Sequence, residues 1–451
     1  MENSKDRFPT AEERWPRQGI VSNMKKKIKP NEGNKTFCMA PWTHTYLSPQ
    51  TERRMCCASR EPAQSFKQYI DTGNNAKEYK PLTLKEHWNS EHMRSVRLRM
   101  LAGEQLSECE VCDFKLLNTN VYRDYWNKLF ENRIDDAFKK TDETGATTMQ
   151  TISFDYRFNN LCNFKCRMCG DMLSSSWEAE SRKHKTWNKE SQPWMASPLK
   201  EQIKKFQDKQ VVQEFVDAIE TKQIREIYWC GGEPLMWDMH WKAMERIIEL
   251  GFADEVYVRY NTNLSRTSLG KSNLFDLLSY FNDWQVCASI DGIGETGEYI
   301  RDGLNYEQWL RNFKEGLSVS TNARQMRLDF TITLLGLLEL KNMFNLSQEL
   351  NTEILTKVMF TFSNDEILSP LSLPKELLHT IINEALEYIE PRATKKQRAL
   401  IDVLKNLKTR ETFTPTHRGK LRQMYIDKIR KQDITKILSK DERILEWWTS
   451  I

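Results

Sequence analysis

The sequence predicts an α/β fold with a parallel sheet, a cysteine-rich region before the sheet and a helical region after it. Between residues 148 and 365, short β-branched or aromatic runs alternate with amphipathic segments six times, which is typical of parallel strands joined by helices. Eight of the ten cysteines lie before residue 170, and helical periodicity dominates after residue 365. A length of 451 residues leaves room for two or three domains.

The chain divides into four predicted parts. In order, they are a polar N-terminal arm (1–36), a cysteine-rich domain (37–147), a sheet domain (148–365) and a helical C-terminal extension (366–451). Within the cysteine-rich domain, apolar residues at helical spacing predict helices over Arg94–Gly103 and Tyr122–Lys140.

Six strands are predicted in the sheet domain: Met149–Phe154, Ile224–Trp229, Glu255–Tyr260, Trp284–Ile290, Met326–Thr333 and Lys357–Phe362. The predicted helices between them include Trp241–Leu250, Leu274–Phe281, Glu307–Leu317 and Lys341–Leu350. The long polar segment Gly170–Thr221 predicts an inserted pair of helices. Alternation alone fits either a doubly wound sheet or a barrel.

Composition and termini limit the class of protein. The 67 basic and 63 acidic residues nearly cancel, so net charge gives no argument for nucleic acid. Apolar stretches fall far short of the ~18 residues of a membrane helix, and the N-terminus lacks a signal-peptide pattern. We therefore expect a soluble, cytoplasmic protein with no membrane partner. Because cytosolic thiols stay reduced, its clustered cysteines indicate metal sites rather than disulfides.

The C-terminal extension contains a basic stretch. Residues 391–440 carry fifteen Lys and Arg against four Asp and Glu, which could form a nucleic-acid surface. The alternative is a set of solvated helix faces around apolar positions such as Leu400 and Leu404. Aromatic residues, on which single strands stack, are sparse here, and this favours the solvated faces.

The most informative segment carries Cys162, Cys166 and Cys169 directly after the first predicted strand. Sites in parallel α/β proteins lie at the carboxyl ends of the strands. Soft thiolate ligands suit an iron–sulfur cluster or zinc, and three ligands leave one coordination position open for chemistry.

This CxxxCxxC loop resembles the signature of the radical S-adenosylmethionine (SAM) enzymes. The resemblance implies that the three cysteines bind three irons of a [4Fe–4S] cluster and that SAM chelates the fourth. One-electron reduction then cleaves SAM to a 5′-deoxyadenosyl radical, which abstracts hydrogen from a substrate. It also implies a partial (β/α)6 TIM-like barrel. In the family, the residue before the third cysteine is often aromatic and lies near the adenine of SAM. That residue is Met168 here, and the resemblance implies that it packs near the adenine.

Three further motifs follow the next strands in family order. Gly231, Gly232 and Glu233 resemble the GGEP motif that meets the SAM amino group: glycines permit close approach, and a carboxylate accepts from an ammonium. Asn263 lies in a segment resembling the family's TNG element, with Leu264 in place of glycine. The remaining set resembles the family's ribose and carboxylate contacts and consists of Ser289, Asp291 and Arg301.

The alternative for these cysteines is a zinc-binding scaffold, with Cys230 as a fourth ligand. Zinc accounts neither for the GGEP-like turn nor for the order of the strand-end motifs, so the enzyme is favoured. Cys230 and Cys287 are otherwise expected to be buried core thiols.

The N-terminal cysteines resemble a twitch domain, the shortened relative of the SPASM domain. The shared pattern includes Cys38 before Pro-Trp, the Cys56-Cys57 pair and a terminal CxxC. It implies an auxiliary [4Fe–4S] cluster with the ligands Cys38, Cys56, Cys109 and Cys112. Cys57 is then the spare thiol, although either member of the Cys56-Cys57 pair could be the ligand. Tetrahedral zinc remains an alternative for this domain, and His44 is expected to be a packing residue rather than a ligand.

The resemblance thus implies a radical SAM enzyme that abstracts hydrogen, with a peptide or protein side chain as the favoured substrate. Its expected partners are SAM, that substrate and an electron donor such as flavodoxin or ferredoxin. The alternatives are modification of nucleic acid or a small metabolite, and a non-catalytic zinc-binding scaffold. No motif identifies a catalytic acid, base or hydrogen-returning thiol.

Overall fold

A computed structural model describes residues 27–59, 81–115, 122–189, 192–359 and 365–451. The chain forms two compact units. Unit 1 comprises residues 1–159 and 181–231, and unit 2 comprises residues 160–180 and 232–451. Most of the predicted arm, residues 1–26, lies outside the described residues. No helix in the described ranges is both long and apolar enough to span a membrane.

The strands confirm the predicted α/β class. In the described chain they are β1 (His44–Leu47), β2 (Arg53–Arg54), β3 (Ser153–Tyr156), β4 (Glu226–Trp229), β5 (Tyr257–Thr262), β6 (Ser268–Leu269), β7 (Ser272–Asn273), β8 (Asp283–Ser289), β9 (Met326–Ile332) and β10 (Glu353–Val358). In unit 1 the strand order is β4-β3-β1-β2, and in unit 2 it is β10-β9-β8-β5, with β6 paired to β7. Over the described residues neither set of strands closes on itself, so no closed barrel forms within either unit.

Unit 1 contains the cysteine-rich region and strands β1 to β4. β1 pairs parallel with β3 and antiparallel with β2, and neither β1 nor β2 was predicted from the sequence. Their side chains are almost entirely buried without an alternating pattern, which hides strands of two to four residues. The apolar core of this region packs helix Glu91–Leu101 against Phe37, Met39 and Trp42.

Arg97 ties this core together. Its side chain is fully buried and stacks on the Trp88 ring at 4.9 Å. The guanidinium donates to the carbonyl oxygens of Pro41 at 2.9 Å and Trp88 at 2.7 Å. A buried cation is tolerated here because backbone acceptors replace the water it lost.

Unit 2 contains the strands β5, β8, β9 and β10, which run parallel in that order. The predicted last strand, Lys357–Phe362, is wrong in position, since the strand is Glu353–Val358 and residues 360–362 lie outside the described chain. Pairing sets this register: Glu353 lies opposite Arg327, and the two side chains form an ion pair at 2.9 Å. The sequence-based prediction had placed the strand later because the residues after Lys357 are rich in aromatic side chains, which favour strands.

The helices differ from expectation in two places. The predicted helix Tyr122–Lys140 is interrupted by a 3₁₀ turn, Glu131–Arg133, and the inserted pair of helices is three helices. The described α-helices are Ala40–Thr43, Leu84–Trp88, Glu91–Leu101, Tyr122–Leu129, Ile134–Lys139, Ser175–His184, Ser197–Phe206, Val212–Glu220, Asp238–Glu249, Leu274–Leu278, Gly294–Ile300, Tyr306–Val319, Leu340–Glu349, Lys375–Ile389, Arg398–Leu407, His417–Arg430, Ile434–Leu438 and Glu442–Ser450. The last five form the predicted C-terminal helical extension.

Candidate functional site

The loop carrying Cys162, Cys166 and Cys169 lies in unit 2 and is held by backbone hydrogen bonds. The amide of Arg167 donates to the carbonyl of Ile300 at 2.8 Å, and Trp177 Nε1 donates to the carbonyl of Cys166 at 2.8 Å. The Ser176 hydroxyl donates to the carbonyl of Cys162 at 2.8 Å. The loop is therefore preorganised without regular secondary structure.

The three thiols of this loop lie in one electrostatic environment. Cys162 interacts electrostatically with both Cys166 and Cys169. Burial is the main cause that raises the pKa of all three thiols, and it raises the pKa of Cys169 to about 12. A free thiol there stays protonated at neutral pH, so thiolate ligands require the positive charge of bound metal. Among the described residues, no three His, Cys, Asp or Glu side chains are close enough to hold a single ion.

Two nitrogen donors point at these sulfurs. Arg301 contacts Cys166 Sγ at 3.8 Å, and Asn263 Nδ2 contacts Cys162 Sγ at 3.9 Å. Hydrogen bonds to the sulfurs of an iron–sulfur cluster tune its reduction potential. The donor set of three soft thiols with N–H groups beside them fits a [4Fe–4S] cluster.

The predicted residue Glu233 is fully buried and has three donors. Its carboxylate accepts from the Thr262 hydroxyl at 2.6 Å, the Asn263 amide at 2.6 Å and the Leu235 amide at 3.1 Å. Burial raises the pKa of Glu233 to about 7, although these donors oppose that shift. Thr262 was not among the residues predicted from the sequence, and only its place before Asn263 could have indicated it.

The two glycines before Glu233 have left-handed backbone conformations, with φ of +84° at Gly231 and +58° at Gly232. In unit 1, a Cβ atom at Gly231 would lie 2.5 Å from the Arg157 side chain. Both the backbone angle and this close approach explain why the motif uses glycine at that position.

Asp291 and Arg301 form a buried ion pair, with Nε and Oδ2 2.7 Å apart. The other Asp291 oxygen accepts from the Thr331 amide at 2.8 Å. The remaining predicted residue of this group, Ser289, donates to Asp329 Oδ2 at 3.4 Å. Met168 is half-buried in the cysteine loop.

In unit 1, one cavity is lined by all four predicted auxiliary ligands, Cys38, Cys56, Cys109 and Cys112. The space between its lining atoms, open solvent included, is about 350 Å³. Burial raises the pKa of Cys109 to about 12, and the nearby Arg123 opposes this shift. Four thiols around one space fit a cluster bound by four cysteines.

Four other residues considered in the sequence analysis lie outside this cavity. Cys57 is not among its lining residues. His44 is buried, with its ring 4.1 Å from that of Trp126 and Nδ1 2.6 Å from the Ser153 hydroxyl. Cys287 is buried in β8, whereas Cys230 follows β4 and is only half-buried, so the prediction of a core thiol there is wrong.

The comparisons with known proteins agree with this site. Residues 156–337 match the model of the radical SAM superfamily, and residues 38–113 match that of an iron–sulfur cluster-binding domain, SPASM. The chain is therefore a radical SAM enzyme with an N-terminal SPASM domain. Its cofactors are SAM, a [4Fe–4S] cluster and auxiliary iron–sulfur, which overturns the non-catalytic zinc scaffold.

Among solved structures, the chain is similar to Streptococcus suis SuiB bound to S-adenosylmethionine. The sequences are 12% identical, the alignment covers 71% of this chain and 67% of that chain, and the TM-score is 0.35. The assignment consequently depends on the two family models. No curated protein matches the chain.

Proposed function

We propose that this enzyme abstracts hydrogen from a side chain of a peptide or protein in the cytoplasm. The observation that carries the proposal is a polar face of the sheet in unit 2, next to the residues predicted to bind SAM. On that face Asp329 accepts from Lys357 Nζ at 2.8 Å and from Ser289, and it interacts electrostatically with Arg301. Parallel sheets usually bury both faces under apolar side chains. The charged and polar side chains on this face therefore indicate a binding surface rather than a packing surface.

The Asp329 carboxylate supports a polar, N–H-bearing substrate. The residue is only 2% exposed, and its Oδ1 atom has no hydrogen-bond partner among the described residues. Leaving a buried acceptor unpaired costs about 1–3 kcal/mol, and a peptide amide or an amine could satisfy it. Lys357 keeps a side chain that is 47% exposed, so this end of the face is open.

The domains and ligands of the prediction belong to this proposal. Residues 37–147, 148–365 and 366–451 would be the cluster domain, the barrel domain and the extension. The SAM cluster would be held by Cys162, Cys166 and Cys169. The auxiliary cluster would be held by Cys38, Cys56, Cys109 and Cys112.

Bound together, the cluster and SAM supply a 5′-deoxyadenosyl radical after one-electron reduction. The protein's part is to position the reactants. Glu233 would accept hydrogen bonds from the SAM amino group, and Gly231 and Gly232 allow the backbone to approach it. Arg301, fixed by Asp291, would face the SAM carboxylate. Asp329 would orient the substrate, and an electron donor such as flavodoxin or ferredoxin would provide the electron.

The second candidate is a radical SAM enzyme that acts on nucleic acid, docking through residues 391–440. Several cations of that stretch already have acidic partners. Lys405 pairs with Glu390 at 2.6 Å, Arg430 with Glu180 at 2.7 Å and Lys440 with Glu339 at 3.0 Å. This leaves less free positive charge than the sequence count indicates.

The test combines anaerobic reconstitution with iron and sulfide, a count of bound iron and an assay for 5′-deoxyadenosine after dithionite reduction. We expect about eight irons, and about four with no cleavage in the Cys162/Cys166/Cys169→Ala variant. Deuterium transfer into 5′-deoxyadenosine from a labelled peptide library, but not from labelled RNA, would identify the substrate class. Transfer only from RNA would overturn the peptide proposal.

A further inference from the structure

The inner face of helix His417–Arg430 contacts the cysteine loop through Arg430. Its guanidinium pairs with Glu180 at 2.7 Å and donates to the carbonyl of Lys165 at 2.8 Å. It also lies 4.3 Å from the ring of Trp177, whose indole donates to the carbonyl of Cys166. One side of the helix thus lies against the backbone of the cluster loop.

A second contact comes from Arg167, which stands between two of the cysteines. Its side chain is 1% exposed and pairs with Asp427, and it also donates to Gln432 Oε1 at 2.6 Å. The guanidinium stacks on the Tyr299 ring at 3.8 Å, and the Tyr299 hydroxyl donates to Asp427 at 2.7 Å. The helix and the loop are therefore one packed element.

The outer face of the same helix exposes apolar side chains. Leu421, Met424 and Tyr425 are 50%, 49% and 42% exposed. They are three of the seven large apolar side chains that are exposed in the described chain, and they lie within five consecutive residues. Single exposed apolar residues are ordinary, but a clustered set indicates an interaction surface.

Basic side chains surround this apolar set. Arg418 and Arg422 reach Asp365 and Glu366 only at 3.7 Å, and their side chains are 86% and 55% exposed. Lys428 is exposed and has no acidic partner among the described residues. An apolar centre with a basic rim fits an acidic protein.

We propose that the outer face of helix His417–Arg430 is the docking surface for an acidic one-electron donor protein that reduces the cluster bound by the cysteine loop. The inference rests on the proposed function, which needs such a donor. The helix separates this face from the loop by its own thickness only, because its inner side holds Arg167 and Lys165. Electron-transfer complexes have small interfaces, below about 1,200 Å² in total, so a docking surface centred on one helix suits such a partner.

The electron balance is simple. The donor loses one electron and the cluster gains one, and no bond forms between the two proteins. Charge complementarity would mainly speed the encounter, so donor binding should weaken as salt rises.

The test measures binding of an acidic flavodoxin to the reconstituted enzyme by titration calorimetry. Leu421→Ser/Tyr425→Ser and Lys428→Glu are each expected to raise Kd about tenfold or more, with a smaller salt dependence for Lys428→Glu. The matched control is Tyr280→Ser/Val319→Ser, which removes two exposed apolar side chains elsewhere in unit 2. This control is expected to keep the wild-type Kd.

Electron arrival is measured separately as bleaching of the cluster absorbance. With reduced flavodoxin the docking variants should bleach more slowly than wild type, whereas with dithionite all proteins should bleach equally. Wild-type Kd values in the variants, no flavodoxin binding to wild type, or equal slowing with dithionite would each overturn the proposal. Absence of 5′-deoxyadenosine with dithionite would refute the proposed function instead, since binding and bleaching do not depend on SAM cleavage.

Discussion

Glu233 shows how a single side chain links stability to pH. Because burial raises its pKa from 4.5 to about 7, the folded protein keeps a proton that the unfolded chain releases at lower pH. The stabilising contribution is complete below pH 4.5 and is lost as pH rises through 7. The pH dependence has the opposite sign to that of an ion-paired surface acid, whose pKa is lowered by the neighbouring cation.

We expect this group to lower the free energy of unfolding by about 1 kcal/mol between pH 6 and pH 8. Glu233→Gln cannot release a proton, so the variant should lose this part of the pH dependence. Urea unfolding at the two pH values measures the effect. An identical pH dependence in wild type and variant would show that Glu233 keeps its ordinary pKa.

The adjacent thiols of unit 1 offer a matched pair. Cys56 lines the cavity and Cys57 does not, so Cys56→Ser should lower auxiliary iron content while Cys57→Ser leaves it unchanged. Iron and sulfide analysis after reconstitution, with the SAM cluster as an internal reference, is the measurement. Equal loss in both variants, or loss in Cys57→Ser alone, would reassign the ligand.

Individual site residues were predicted from the spacing of the cysteines and from the order of the motifs along the chain. In unit 1, Cys38, Cys56, Cys109 and Cys112 line one cavity, and in unit 2 Asp291 pairs with Arg301. That these residues bind the clusters and SAM stays a prediction. Asp329 was missed because its neighbours in the sequence do not show whether a carboxylate within a strand faces a site or solvent. Arg167 was missed because its partner lies 260 residues away.

Helix His417–Arg430 is the element whose role the sequence hid. Thr416 caps its start by accepting from the Gly419 amide, and Lys431 ends it with a φ of +56°. Its basic residues indicated a solvated surface, which is true of the outer side. The inner side became interpretable only once the fold placed Asp427 and Arg430 on the cysteine loop.

We expect Asp427→Asn to lower the free energy of unfolding by about 3 kcal/mol, because Arg167 would remain buried without a charged partner. The control, Glu384→Gln, breaks the exposed pair with Arg443 and should cost at most about 1 kcal/mol. Denaturant unfolding monitored by circular dichroism compares them. Equal small losses would mean that water or Gln432 compensates the Arg167 charge.

Alternation of strands and helices likewise predicted five of the six sheet-domain strands within a few residues, and the sixth failed because pairing with β9 fixes its register. β1 and β2 could not be predicted. They depend on long-range pairing, which a local pattern does not report.

At the scale of the whole molecule, unit 1 is built from two separate stretches of chain, residues 1–159 and 181–231, that pack against each other. Arg53 is fully buried and pairs at 2.7 Å with Glu214, and Phe215 packs on the rings of Phe154 and Phe158. Residues 1–159 therefore lack an essential charge partner and part of their core when residues 181–231 are missing.

A fragment of residues 1–159 should consequently show no cooperative thermal transition by circular dichroism. The same fragment joined to residues 181–231 by a flexible Gly/Ser linker of about 20 residues should fold and take up iron. A cooperative transition in the short fragment would show that the cysteine-rich region folds alone.

The pairing of Arg167 with Asp427 also affects the order in which parts of the chain can fold during synthesis. At about 5–20 residues per second, the ribosome completes Asp427 roughly 13–50 s after Arg167. The auxiliary cysteines precede residue 113 and their remaining unit ends at residue 231, so that pocket can mature while the polypeptide is still being made. The cysteine loop of unit 2 acquires its contact with Asp427 only near the end of translation, so we expect the cysteine-lined pocket of unit 1 to complete its folding first.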